Sequence, residues 1–406
     1  MKIIIIIFDN FFPLQKKLKI KFFFDKLLLT GSLSYPFFDM SPKSGVDMAF
    51  NMEKFLENIF APGKEETLSI IIDTPEYQKQ DTVDWKQRRK MAEEWIDQIN
   101  AVSKKWEMKV NPLVSYKATG SHNSRLPAKC MVGSEEKDLE NVIKESTIIL
   151  SMPEFSATAP LYEYSISLKK LRVGSMPGVG KFMEETGLAA DYGEIANKCN
   201  KLIYIMKDAI GAEVTFSTSH KCYFDLTKNK FYGDDGMLHP ETGGTDKSTS
   251  NLPAGEVFTV PNEEPGSRTE GELPFSEGNE KGVFVIRENK IVEIQGNSPE
   301  TAKLRKNIND DQAWANIAEF AIGVNDKATV TGNILQDEKA GFHWAFGLSK
   351  HLGGINGEDK FNSPGNVIHR DFVYAKGNSI ECSLLEIIFP DNSRRTLIRN
   401  SVLILD

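Results

Sequence analysis

Side chains able to bind a metal ion are concentrated in the last third of this 406-residue sequence, where three of its six histidines, His343, His351 and His369, lie within 27 positions. The spacing of His369 and Asp371 is the most informative. Residues i and i+2 of a β-strand point to the same face, so this pair can present an imidazole and a carboxylate to one ion. A surface or core histidine beside a solvated aspartate is the alternative interpretation.

Three further residues extend this set. His343 lies in the apolar run GFHWAFG, where a hydrogen-bonded core histidine is the alternative. Glu319, in ANIAEFAIGVN, is predicted at the end of an amphipathic helix, where a carboxylate among apolar neighbours needs cationic partners. Glu256 follows a Pro- and Gly-containing turn at the start of a β-rich run, and it is either a ligand or exposed.

The combination is more informative than any single member. It supplies three carboxylates and two imidazoles, at Glu256, Glu319, His343, His369 and Asp371. Such a mixed set of oxygen and nitrogen ligands suits two divalent ions of the zinc, cobalt or manganese class.

The elements before residue 210 alternate between helix and strand. Short apolar runs at 68–72 and 147–151 predict strands, and the segments 52–60, 85–101 and 135–145 have helical patterns. The strands carry few polar residues, as expected for a parallel sheet covered by helices on both faces. We therefore expect an α/β domain over 52–210.

After residue 210 the pattern changes to short, alternating, β-branched runs separated by Gly, Asn and Asp, which predict antiparallel strands. A helix is expected at 310–320 and a surface loop at 242–251. Residues 211–406 are thus predicted to form an α+β catalytic domain that is rich in antiparallel strands and binds the metal.

Composition limits the possible partners and compartments. The net charge of −8 and the absence of a Lys- and Arg-rich stripe argue against nucleic-acid binding. Four scattered cysteines indicate neither a disulfide framework nor a zinc knuckle. The apolar runs in residues 1–51 are interrupted by charges and lack a cleavage-site pattern, so we interpret this segment as an extension and expect a cytoplasmic protein that does not enter a membrane.

The sequence also resembles a known family, the aminopeptidase T and aminopeptidase S metallopeptidases, in order over most of residues 52–375. The resemblance lies in these segments: RVGSMPGV at 172–179, LAADYGEIANKCNKL at 188–202, VTFST at 214–218, NLPAGEVFTVP at 251–261, AEFAIGVNDKATVTGNILQDEKAGFHWAFG at 318–347, and GGIN with HRD at 353–371. It implies a homodimeric hydrolase that releases N-terminal residues from peptides with a free N-terminus. The family's two-metal ligands fall on the same five residues.

One position departs from the family. The family pattern has an active-site tyrosine seven residues after the histidine that corresponds to His343. This sequence has Lys350 at that position, followed by His351. This departure keeps a second function open, a mononuclear non-haem Fe(II) ring-cleaving dioxygenase of the 2,5-dihydroxypyridine dioxygenase type, with His343, His369 and Asp371 as its minimal iron site. A non-catalytic scaffold on the same fold is the third interpretation.

The Lys-interrupted pattern of residues 1–47 matches no element of that family. We expect a protein that begins at Met48 to keep its melting temperature within a few degrees of the full chain. Thermal melts of both forms test this, and a collapse of soluble yield in the shorter form would contradict it.

Overall fold

The computed structural model describes residues 50–406 except 228–229 and 278–279, so the predicted extension at 1–51 lies almost entirely outside the described residues. Seven α-helices occur in the described part: α1 (Met52–Phe60), α2 (Val83–Ser103), α3 (Leu139–Glu145), α4 (Thr158–Ser167), α5 (Tyr192–Met206), α6 (Pro299–Asp310) and α7 (Ile334–Asp337). None of them is both long and apolar enough to cross a lipid bilayer.

The first sheet has eight strands and is built around a parallel core. Its strands are β1 (Thr67–Thr74), β2 (Lys109–Val110), β3 (Val114–Lys117), β4 (Lys129–Val132), β5 (Glu135–Asp138), β6 (Ile148–Ser151), β7 (Arg172–Ser175) and β11 (Thr249–Asn251). Their order is β11-β7-β6-β1-β3-β4-β5, with β2 also beside β1. Only β4 and β5 run antiparallel to their neighbours. The central strands β1, β6 and β7 are almost wholly buried, as their apolar runs predict.

The remaining strands form two antiparallel sheets. The second sheet, in the order β10-β12-β16-β17-β18, contains β10 (Tyr232–Asp234), β12 (Glu256–Thr259), β16 (Ile317–Gly323), β17 (Phe342–Gly347) and β18 (His369–Val373). The third, in the order β15-β14-β13-β9-β8-β19-β20-β21, contains β8 (Gly211–Phe216), β9 (Lys221–Asp225), β13 (Glu270–Glu277), β14 (Glu280–Arg287), β15 (Lys290–Gln295), β19 (Cys382–Ile388), β20 (Arg394–Arg399) and β21 (Val402–Leu403).

Aromatic side chains join the second sheet to the third. One face of β16, β17 and β18 presents Phe320, Phe342, Trp344, Phe346 and Phe372. Phe284 of β14 contacts Trp344 and Phe372 at ring-centroid distances of 5.5 and 5.2 Å. This packing covers one face of the second sheet, and the polar candidate ligands occupy the other.

The mixture of a parallel sheet with antiparallel sheets confirms the expected α/β and α+β content. The division at residue 210 stays a prediction, because one hydrophobic cluster includes side chains from both sides of that position, from Met52 in α1 to Ile398 in β20. In addition, β11 belongs to the later half of the chain but pairs with β7 of the first sheet. The four cysteines are buried free thiols.

One predicted element was wrong in type, and two others were right only in part. The segment 310–320 is not a helix: α6 ends at Asp310, and Glu319 lies in β16, whose seven residues are all buried at the centre of the second sheet. A strand covered on both faces is as uniformly apolar as a buried helix, so its periodicity was misleading. The predicted loop at 242–251 ends in β11, and the helix predicted over 135–145 begins as β5 and becomes α3 only at Leu139.

Candidate metal centre

Four neighbouring strands of the second sheet carry the five predicted ligands. Glu256 begins β12, Glu319 lies in β16, His343 lies in β17, and His369 and Asp371 lie in β18. Because these strands are adjacent, residues that span 116 positions of sequence reach one face of one sheet. The structure therefore brings all five side chains together, while their role as ligands stays a prediction.

Small residues separate the candidate ligands on this face. Ala345 pairs with Glu319 on one side and with Asp371 on the other. Ala321 pairs directly with His343. Paired residues of antiparallel strands point to the same face, so the alanine methyl groups leave room above them for the longer polar side chains.

The polar atoms form two groups that share one carboxylate. His343 Nε2 lies 3.2 Å from Glu256 Oε2 and 3.9 Å from Glu319 Oε1. His369 Nε2 lies 2.9 Å from Glu319 Oε2 and 3.5 Å from Asp371 Oδ1. In each group the ligand atoms lie within 4.8 Å of one another. Glu319 thus offers one oxygen to each group.

Both histidines are oriented by backbone carbonyls. Nδ1–H of His369 donates to the carbonyl of Leu348 at 2.7 Å, and Nδ1 of His343 lies 3.3 Å from the carbonyl of Gly341. This leaves Nε2 of each ring facing the carboxylates. A histidine that donates from one nitrogen to a carbonyl and presents the other to the site has the arrangement usual for metal ligands.

The carboxylates control the protonation of the imidazoles. Burial lowers the pKa of His343, but the hydrogen bond and charge of Glu256 and the charge of Glu319 outweigh it and raise the pKa to about 9. Burial also opposes the charge on His369, yet Asp371 and Glu319 raise its pKa well above the ordinary value. Protons therefore balance the carboxylates when no ion is bound.

The residues fit divalent ions. Glu256 Oε2 is buried and faces Nε2 of His343 at 3.2 Å, so it is an available ligand atom once the histidine has lost its proton. Glu319 could serve as a ligand in either group, since its two oxygens face different histidines. The ions would be held by Glu256, Glu319 and His343 in one half and by Glu319, His369 and Asp371 in the other.

Three charged residues of the centre were missed by the sequence analysis. Lys339 is fully buried, and its Nζ lies 2.7 Å from both Glu256 Oε1 and Glu338 Oε1. Burial raises the pKa of Glu338 to about 8 although the charge of Lys339 lowers it. Burial likewise raises the pKa of Asp234, which accepts a hydrogen bond from Ser250, to about 6. In the sequence, the charged run Asp337-Glu338-Lys339 shortly before GFHW was the signal that pointed to Glu338 and Lys339. Charged runs of this kind are usually solvated.

The metal-free protein should lose stability as pH rises from neutral to alkaline. A histidine whose pKa is raised on folding stabilises the fold fully below its unfolded value of about 6.5, and this contribution is lost as pH rises through about 9. For His343 the difference corresponds to about 3 kcal/mol. The raised pKa of Glu338 acts in the same direction. Thermal melts in a chelator between pH 6 and 10 measure the effect.

His343→Asn should flatten this pH profile. His220→Asn is the matched control, because His220 lies in the third-sheet turn before β9 and pairs only loosely with Glu272, at 3.9 Å. A flat profile in the unsubstituted protein would contradict the charge assignment.

Comparison with known proteins gives likeness at the level of the fold. Neither a family model nor a curated protein matches the sequence. The solved structures with a similar fold include 2,5-dihydroxypyridine dioxygenase from Pseudomonas putida KT2440 and wild-type AmpT, an aminopeptidase T, from Thermus thermophilus. Each has a TM-score of 0.56 and 14% identity over 87% of this chain, and the match covers 96% of the dioxygenase chain and 98% of the AmpT chain. The chain therefore shares a fold with a protein named as an aminopeptidase and with one named as a dioxygenase.

Proposed function

We propose that this protein is a metal-dependent aminopeptidase that removes the N-terminal residue of peptides through a centre of two divalent ions. The shared carboxylate of Glu319 is the observation that carries the proposal. It lies between two separate groups, each with its own histidine and its own second carboxylate. A single ion needs only one of these groups of ligands, so the presence of both groups in this chain favours two ions. Zinc, cobalt and manganese suit such ligands.

Ions held by these residues would supply Lewis-acid polarisation of the peptide carbonyl and would lower the pKa of the attacking water. The protein supplies the remaining groups. Glu338 is a partly buried carboxyl with a pKa of about 8, and its ionised form is suited to accepting the proton of the water and returning it to the leaving amine. The surplus of carboxylates attracts the cationic N-terminus of the substrate.

The position of β18 supports a peptide substrate. β18 is the last strand of its sheet. In its antiparallel pairing with β17, the backbone N–H and C=O groups of alternate residues point toward β17. Tyr374 N–H donates to Phe342, and Leu348 N–H donates to Ile368, so the backbone groups of His369 and Asp371 point away from β17. An extended peptide can pair with such an edge and would then lie directly beside the metal ligands.

A mononuclear Fe(II) dioxygenase is the second candidate. It is favoured by the equal TM-score of the dioxygenase structure and by the supply of two imidazoles and a carboxylate from His343, His369 and Asp371. It leaves Glu256 and its ion pair with Lys339 without a role.

Metal analysis of protein purified without added metal separates the two candidates, when combined with two activity assays. A panel of aminoacyl-nitroanilides tests hydrolysis, and an oxygen electrode with 2,5-dihydroxypyridine tests ring cleavage. About two zinc, cobalt or manganese ions with hydrolysis are expected. One iron ion with oxygen uptake would replace the proposal by the second candidate, and neither activity nor metal would support the non-catalytic scaffold.

His351 is proposed to replace the missing tyrosine as a group that stabilises the oxyanion. Its ring stands edge-on to that of His369 at a centroid distance of 4.9 Å, whereas the Lys350 side chain lies against Gly357. We expect His351→Ala to lower kcat about 100- to 1000-fold at unchanged metal content. Lys350→Ala, the control, should be close to wild type. Two near-wild-type variants would mean that neither residue has this role.

A further inference from the structure

The candidate metal centre contains a fixed positive charge of its own. Lys339 is completely buried, and its ammonium lies 2.7 Å from one oxygen of Glu256 and 2.7 Å from one oxygen of Glu338. The negative charge of Asp234 also acts on it. A buried ammonium is stable only with such partners, so the carboxylates and Lys339 stabilise one another.

The backbone holds Lys339 in this position. Its carbonyl accepts the N–H of Asn325 at 3.1 Å, and Gly323 of β16 lies directly against it. A Cβ atom at Gly323 would come within 2.3 Å of the carbonyl carbon of Lys339. The backbone of Lys339 therefore packs on the strand that carries Glu319, and its side chain is fully buried.

The two halves of the centre therefore differ in charge. In the half formed by Glu256, Glu319 and His343, the ammonium of Lys339 lies directly beside Glu256 and also pairs with Glu338. In the other half, Glu319 and Asp371 form ion pairs with His369. Each half contains one histidine, and the half with Glu256 has in addition a lysine ammonium 2.7 Å from its carboxylate.

We propose that Lys339 makes the two metal sites unequal, so that the half containing His369 and Asp371 binds its ion first and the half containing Glu256 and His343 binds the second ion weakly. The inference rests on the proposed two-metal function and concerns the affinity of each ion. A divalent ion beside Glu256 meets the repulsion of the ammonium, and this repulsion is strong in a buried site.

A purely orienting role for Lys339 would have the opposite consequence. Residues that hydrogen-bond to a metal ligand usually strengthen metal binding, and their loss costs about 10- to 100-fold in affinity. The sign of the change on removing Lys339 therefore separates repulsion from orientation.

Two substitutions separate these effects. Lys339→Gln removes the charge but keeps a hydrogen-bond donor for Glu256, and Lys339→Met removes both. Lys339→Met/Glu338→Gln removes the ion pair as a unit and serves if the single variants fold poorly. Each protein is stripped with a chelator, its melting temperature is recorded, and it is titrated with Zn²⁺ and separately with Mn²⁺ by calorimetry. Bound metal is counted by elemental analysis after desalting.

We expect the wild type to bind one ion tightly and a second at least tenfold more weakly. Lys339→Gln and Lys339→Met should bind the second ion about tenfold or more tightly than the wild type, and Lys339→Met/Glu338→Gln, which also removes a carboxylate, should show a smaller gain in the same direction. Two equal sites in the wild type, an unchanged second affinity in the variants, or a weaker one in Lys339→Met would overturn the inference and leave the proposed function intact. A wild type that binds no divalent ion would overturn both.

Discussion

Glu319→Gln should abolish binding of both metal ions and lower kcat at least about 1000-fold. The expected size follows from the several kcal/mol of transition-state stabilisation that metal ions supply, at about 1.4 kcal/mol for each factor of ten. Glu319 is the carboxylate that faces both His343 and His369, so a neutral amide there weakens both halves. Gln keeps the shape of the side chain, and the β16 strand should remain folded.

Two further Glu→Gln variants test whether the loss of metal and activity is specific to Glu319. Glu256→Gln changes a carboxylate of one half only, so it should lose the second ion and keep the first. Glu241→Gln alters a side chain that is 76% exposed and should resemble the wild type. Metal content, kcat and melting temperature are measured for all three. Retention of two ions by Glu319→Gln would refute the shared-carboxylate assignment, whatever its activity.

Arg172→Met should destabilise the fold by about 3–5 kcal/mol, the cost of breaking a buried ion pair from one side. Arg172 begins β7 and is 1% exposed. Its guanidinium donates to the carboxylate of Glu66 and to the carbonyls of Phe60 and Leu238. Removing it leaves the partly buried carboxylate of Glu66 and two carbonyls without these donors. We expect a fall in melting temperature of roughly 5–10 °C.

A double-mutant cycle tests whether the ion pair causes this loss. Arg172→Met/Glu66→Gln should recover part of the stability, since it leaves no unpaired charge. Arg399→Met changes an exposed arginine at the end of β20 and should alter the unfolding free energy by less than about 0.5 kcal/mol. If Arg172→Met melted like Arg399→Met, the contacts of Arg172 would not contribute to stability.

The sequence by itself determined the elements whose pattern and length agree. Met52–Phe60 is an amphipathic helix with one buried face, and Thr67–Thr74 is a buried apolar run too short for a helix and therefore a strand. It also determined the spacing of His369 and Asp371, because the period of a strand fixes which residues share a face. Both inferences depend only on local geometry.

Tertiary structure decided the features that depend on neighbours distant in sequence. Glu319 lies in a strand because β12 and β17 flank it on both sides and supply its hydrogen bonds, whereas its own apolar neighbours fit a helix equally well. Residues 249–251 look like a polar loop but form β11, since β7 offers a free edge to pair with. From the sequence, Lys339 is predicted to be one member of a charged, solvated run. Only the packing of its backbone on Gly323 buries the ammonium between Glu256 and Glu338, because burial of a charge depends on partners that the local sequence does not contain.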